Sequence, residues 1–141
     1  MNRLQATGLI LVLGGVALAA PTTPASAAGK YDGSKPMLCA LTAVSECTKD
    51  GNCERSAPQE GNNLPGFMRV DVKGKLLSDN DGSGRKTEIK SSAIVDNQLM
   101  LQGAENGKAW TIVIASDSGA FGSSVVEDDG LFAIFGRCTI P

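Results

Sequence analysis

The sequence predicts an all-β domain: a small antiparallel up-and-down meander of seven or eight strands, closing into a barrel and stapled by two disulfides. An open sheet or a sandwich is the alternative. Three observations carry this. After residue 27 no stretch keeps a helical period over the roughly ten residues a helix needs. Apolar residues instead alternate with polar ones in short runs. Asx-Gly and related turn dipeptides punctuate those runs at close spacing.

In chain order, residues 1–27 read as a secretory signal peptide. Arg3 precedes an uncharged apolar run from Leu9 to Ala20, followed by Pro21 and the small-residue exit Ala25-Ser26-Ala27. That run is shorter than the roughly 20 residues of a membrane-spanning helix, so no membrane span is expected once the signal is removed. Residues 28–36 are polar and contain Gly and Pro, which suggests an extended lead-in. Residues 37–141 then form a single β domain.

Met37 to Cys47 is apolar enough for the first strand. Pro58, Gly61, Asn62, Asn63 and Pro65 mark a long loop from Glu54 to Pro65. Met68, Val70 and Val72 alternate with Arg69, Asp71 and Lys73, the period of a half-buried strand. Lys73-Gly74-Lys75 turns into Leu76-Leu77, and Ser78 to Gly84 is a polar loop. Thr87 to Val95 and Gln98 to Gln102 are two strands across Asp96-Asn97, a tight-hairpin spacing. Beyond the turn at Glu105-Asn106-Gly107-Lys108, Trp110, Ile112 and Ile114 share one face. Ala120 to Val126 and Leu131 to Cys138 complete the meander.

An even set of cysteines (Cys39, Cys47, Cys53 and Cys138) in an exported chain points to two disulfides. Asp50-Gly51 lies between Cys47 and Cys53, so a turn there brings those sulfurs together and leaves Cys39 to pair with Cys138. The second bridge would make the first and last strands neighbours. Four-cysteine zinc binding lacks the usual C-x-x-C knuckles, and their absence also argues against a thiol oxidoreductase. Cys39 lies too far past the apolar run for a lipid anchor.

Histidine is absent, which removes the commonest general base, the Ser-His and Cys-His pairs and every His-containing metal site. Lys and Arg total 13 against 15 Asp and Glu, dispersed without a basic block. This argues against nucleic acid as a partner. No catalytic residue and no cofactor is assigned, and the reading leans away from an enzyme.

Asp79-Asn80-Asp81-Gly82-Ser83-Gly84 resembles the start of a calcium loop, with Asp79, Asp81 and Ser83 as candidate ligands. The twelfth position is Lys90 rather than the bidentate Glu, and turn chemistry explains the same residues. Ser83-Gly84-Arg85-Lys86 and Ser78-Asp79-Asn80 echo penicillin-binding motifs, but in reversed order and within one loop. Glu127-Asp128-Asp129 reads as a solvated hairpin tip, and Trp110 as a core residue or a ligand-stacking platform.

Tyr31-Asp32-Gly33-Ser34-Lys35-Pro36 with Leu38-Cys39, Asn63-Leu64-Pro65 with Phe67, Arg69 and Asp71, Gly103-Ala104-Glu105 with Trp110, and Phe135-Gly136-Arg137-Cys138 span nearly the whole mature chain. On these residues the chain resembles a functionally uncharacterised family of small exported bacterial proteins. The resemblance implies one exported domain and assigns no activity. Ser118-Gly119-Ala120-Phe121 is faintly similar to the S-G-x-x-Y loop of periplasmic lysozyme inhibitors, without the tyrosine. The expectation is a non-catalytic periplasmic or secreted domain that binds another exported protein, with inhibition of a periplasmic or extracellular enzyme as one form of that role. A small-ligand carrier with a barrel cavity is the alternative, and an enzyme working through carboxylates alone comes third. A cavity of several hundred Å³ would favour the carrier.

Overall fold

The computed structural model describes residues 29–60 and 64–141. The signal peptide and part of the long loop (61–63) lie outside the described residues. Those described form ten strands and no helix: β1 (Met37–Thr48), β2 (Cys53–Ser56), β3 (Phe67–Asp71), β4 (Leu76–Asp79), β5 (Lys86–Glu88), β6 (Ser91–Val95), β7 (Gln98–Glu105), β8 (Lys108–Ala115), β9 (Ala120–Val126) and β10 (Gly130–Thr139).

The strands make one antiparallel sheet in the order β5-β4-β3-β1-β10-β9-β8-β7-β6, with β2 attached to β1. The first and last long strands are therefore neighbours, paired from Leu38↔Thr139 to Thr48↔Gly130 across a bulge between Leu41 and Ala43. The extra residue, Thr42, turns its hydroxyl to the Phe135 carbonyl at 3.2 Å. β1 is long enough to pair with β3 along Met37–Ala40 and with β2 along Val44–Cys47 on the same edge.

Two features of the sheet differ from the sequence reading. The strand count is ten, because the Cys47–Cys53 turn returns the chain as β2 and because Thr87–Val95 is two strands. Between those two, the Ile89 amide donates to the Lys75 carbonyl at 3.0 Å and the Lys90 amide to the Gln102 carbonyl at 2.8 Å. Two consecutive residues thus step from one edge of the sheet to the other, with Ile89 buried as the pivot. The second difference is closure. The sheet is a curled half-barrel whose seam lies at this step, because β5 has three residues and ladders only with β4.

Turn chemistry sets the hairpins. Asp96 and Asn97 have φ of 48° and 62°, and Asn106 and Gly107 have 51° and 79°. Left-handed turns of this kind match the twist of the flanking strands, and Asn, Asp and Gly tolerate them best. The alternation then places Val70, Leu99, Leu101, Ile112, Ile114 and Phe121 inside.

Both expected disulfides are present. Cys39–Cys138 joins directly registered residues of β1 and β10 and is fully buried. Cys47–Cys53 joins the registered ends of the β1–β2 hairpin.

Residues 29–36 fold into turns rather than an extended lead-in, and they plug one end of the half-barrel. The Asp32 carboxylate accepts the Ser34 amide at 2.8 Å, and hydrogen bonds from Ser34 hold its pKa below the usual value. Tyr31 is buried, with its amide on the Ser116 carbonyl at 2.9 Å. Gly33 (φ 83°) fits between Val72 and Leu99, where a Cβ would lie 2.9 Å from the valine.

Candidate functional site

Opposite the plugged end the half-barrel holds an open cavity of about 440 Å³. Its back wall is a lattice of registered, inward-facing residues on β8, β9 and β10. Phe121 is the deepest lining residue of this wall, with Ile114 and Gly136 registered on either side of it. Ile112, Ser123 and Ile134 make the middle row, and Trp110, Val125 and Phe132 the row nearest the mouth. Leu41, Met68 and Leu77 face it from β1, β3 and β4, and Leu64 and Pro65 from the long loop.

Gly136 is small for a reason. A Cβ there would lie 2.0 Å from the Ala40 carbonyl and 2.5 Å from the Phe121 ring, so the ring occupies the space over the glycine. Gly103 plays the same part for Trp110, its registered partner, where a Cβ would sit 2.1 Å from the indole. The indole extends across the seam, and its N–H donates to the Thr87 hydroxyl of β5 at 3.3 Å. Trp110 is thus a buried core residue whose ring also forms part of the cavity wall.

Charged residues of both signs ring the mouth. Lys108 pairs with Glu127 at 2.5 Å, which ties the start of β8 to the end of β9. Asp79 accepts the Ser83 hydroxyl and, at 2.8 Å, the Arg85 amide. The Ser83 hydrogen bond is the main reason its pKa lies below the usual aspartate value. Glu88 and Lys90 pair at the seam, which lowers the glutamate pKa.

The calcium-loop candidates are accounted for within their own turn. Asp79 and Ser83 meet as described, and the Asp81 carboxylate accepts the Ser83 amide at 2.9 Å. Among the described residues no group of three His, Cys, Asp or Glu converges to hold a metal ion. Asp128 and Asp129 are exposed at the β9–β10 turn. Gly119 is packed beneath Tyr31, and Phe121 is buried in the cavity wall.

Two parts of the site were missed by sequence reasoning. One is the plug, whose only local signal was a lone Tyr31 in a polar stretch. The other is Ser123, a polar residue on the core phase of a strand between Phe121 and Val125. That break in the apolar alternation was the signal available.

Searches of family models, curated proteins and solved structures returned no match for this chain. The fold and the cavity therefore carry the functional argument. The two disulfides are consistent with an oxidising, exported compartment. Among the described residues no helix is long and apolar enough to cross a membrane.

Proposed function

We propose that this is an exported, non-catalytic binding domain that carries a small, mainly apolar molecule in its cup. The cavity supports the reading. At about 440 Å³ it falls within the roughly 300–1,000 Å³ range of small-molecule pockets. A core that needed only to be stable would fill this space, since protein interiors pack to crystal-like density. The plug closes one end of the half-barrel, and the cavity opens toward the other.

Val125→Phe tests this, because Val125 lies on the cavity wall and a larger ring there occupies the void. Native mass spectrometry of protein recovered from the exporting cell should show a bound small molecule. The V125F protein should fold and carry none. A wild-type protein that recovers no small molecule and binds no apolar probe would overturn the proposal.

Protein binding is the second reading, and a different face supports it. Phe67 and Phe135 are 50% and 53% exposed on the outer surface of β3 and β10, either side of β1. Aromatic side chains left in water on one face of a sheet are a common nucleus of a protein contact. Replacing both with Ser should abolish any such contact and leave the cup's ligand binding intact.

A further inference from the structure

We infer that the ligand is an uncharged lipophile bearing a hydrogen-bonding oxygen, and that the Ser123 hydroxyl holds that oxygen. The inference rests on the carrier reading above and names the chemistry that the cup selects.

Ser123 sits at the centre of the wall. It is registered between Ile112 on β8 and Ile134 on β10, and Phe121 and Val125 share its face along β9. All four neighbours are apolar. Its hydroxyl makes no hydrogen bond to any described residue. Ser123 is half-buried and lines the cavity, so its hydroxyl has an open side. A lone hydroxyl in an apolar wall is a poor packing choice, because an alanine or valine would bury more apolar surface without a polar atom to satisfy. As a ligand contact the same hydroxyl has a use: it orients an otherwise greasy molecule by one donor and acceptor.

The charge pattern excludes the other obvious class. The mouth has as many cations as anions: Arg85, Lys86 and Lys108 against Asp79, Glu105 and Glu127. Two of the anions are already engaged, Glu127 by Lys108 and Asp79 by Ser83 and the Arg85 amide. No surplus charge attracts an ionic head group. No charged residue stands in the three rows of the back wall to compensate one that enters, and an unpaired charge in apolar surroundings is strongly disfavoured.

Three probes that share one body and differ in one group separate the possibilities: butylbenzene, 4-butylphenol and 4-butylbenzoate. Trp110 is the only tryptophan in the chain, so its indole N–H gives a single NMR signal at the cavity wall for titrations. The phenol should bind more tightly than the hydrocarbon, and both more tightly than the benzoate at pH 7. Ser123→Ala should weaken the phenol about fivefold to tenfold, the equivalent of roughly 1 kcal/mol for one neutral hydrogen bond, and leave the hydrocarbon unchanged. Equal loss for phenol and hydrocarbon would overturn the role of Ser123, and tighter binding of the benzoate would overturn the uncharged class. Either result leaves the carrier reading standing. If none of the three probes binds, this inference fails, and the carrier reading fails with it when the protein recovered from the exporting cell also carries no small molecule.

Discussion

The two ends of the half-barrel are built from the same strands and solve opposite problems. At the closed end, Tyr31, Gly33 and Gly119 fit against Ser116, Val72 and Leu99, and the buried Cys39–Cys138 bridge lies beside them. At the open end the turns are polar, the mouth is charged and the Cys47–Cys53 bridge sits on an exposed hairpin. The difference shows where stability and function are divided in a small domain. The closed end supplies the packing, which frees the open end to keep space it does not fill.

If so, damage should be graded from the closed end to the open one. The largest effect expected is from Cys39→Ala with Cys138→Ala. That bridge spans 99 residues, against 6 for Cys47–Cys53. On chain-entropy grounds the long bridge contributes about 4.7 kcal/mol and the short one roughly 2.4 kcal/mol. Urea unfolding of the two double mutants should preserve that order, and a reversal would mean that the closed end is not the more stabilising. Tyr31→Ala comes next. Loss of a buried aromatic should cost about 3 kcal/mol and make the cup accessible from both ends, which faster ligand release would report.

Gly103→Ala tests the seam between the two halves. The new methyl group displaces the Trp110 ring, with an expected cost of about 2 kcal/mol and a red shift of tryptophan emission. Val125→Phe at the open end should change stability by less than about 1 kcal/mol while abolishing ligand uptake, which separates the two ends most sharply.

The smallest effect expected is from Asp79→Ala with Asp81→Ala, a minor change in melting temperature, because Asp81 is exposed and the carboxylate of Asp79, half-buried at the end of β4, bonds only to the turn that follows it. A melting temperature that rises with calcium and loses that rise in the double mutant would revive the calcium reading. The Asp79 pKa is lowered in the fold, so its contribution is complete above the unfolded value of about 3.9 and is lost as pH falls through the lower folded one. Carboxyl titration followed by NMR should therefore give Asp79 a midpoint below that of an ordinary exposed aspartate.

Local chemistry was enough to read most of the fold. Asp96-Asn97, Asn106-Gly107 and Asp50-Gly51 each specify a turn through the backbone conformations they tolerate, and a period of two specifies which side chains share a face. The disulfide pairing followed from the same turns, because a hairpin at Asp50-Gly51 leaves one partner for each remaining cysteine. The limits were equally physical. Thr87–Val95 carries an unbroken strand pattern, and only the distance between the Lys75 and Gln102 carbonyls makes Ile89–Lys90 a crossing between two edges. Residues 29–36 bury little on their own and become a plug only when Val72, Leu99 and Ser116 converge on them. The cavity is the clearest case. Whether inward side chains meet or leave a gap depends on the curvature of the sheet, and no residue encodes curvature alone. The alternation could place Ser123 on the inner face, but only the assembled wall shows that no described residue takes up its hydroxyl.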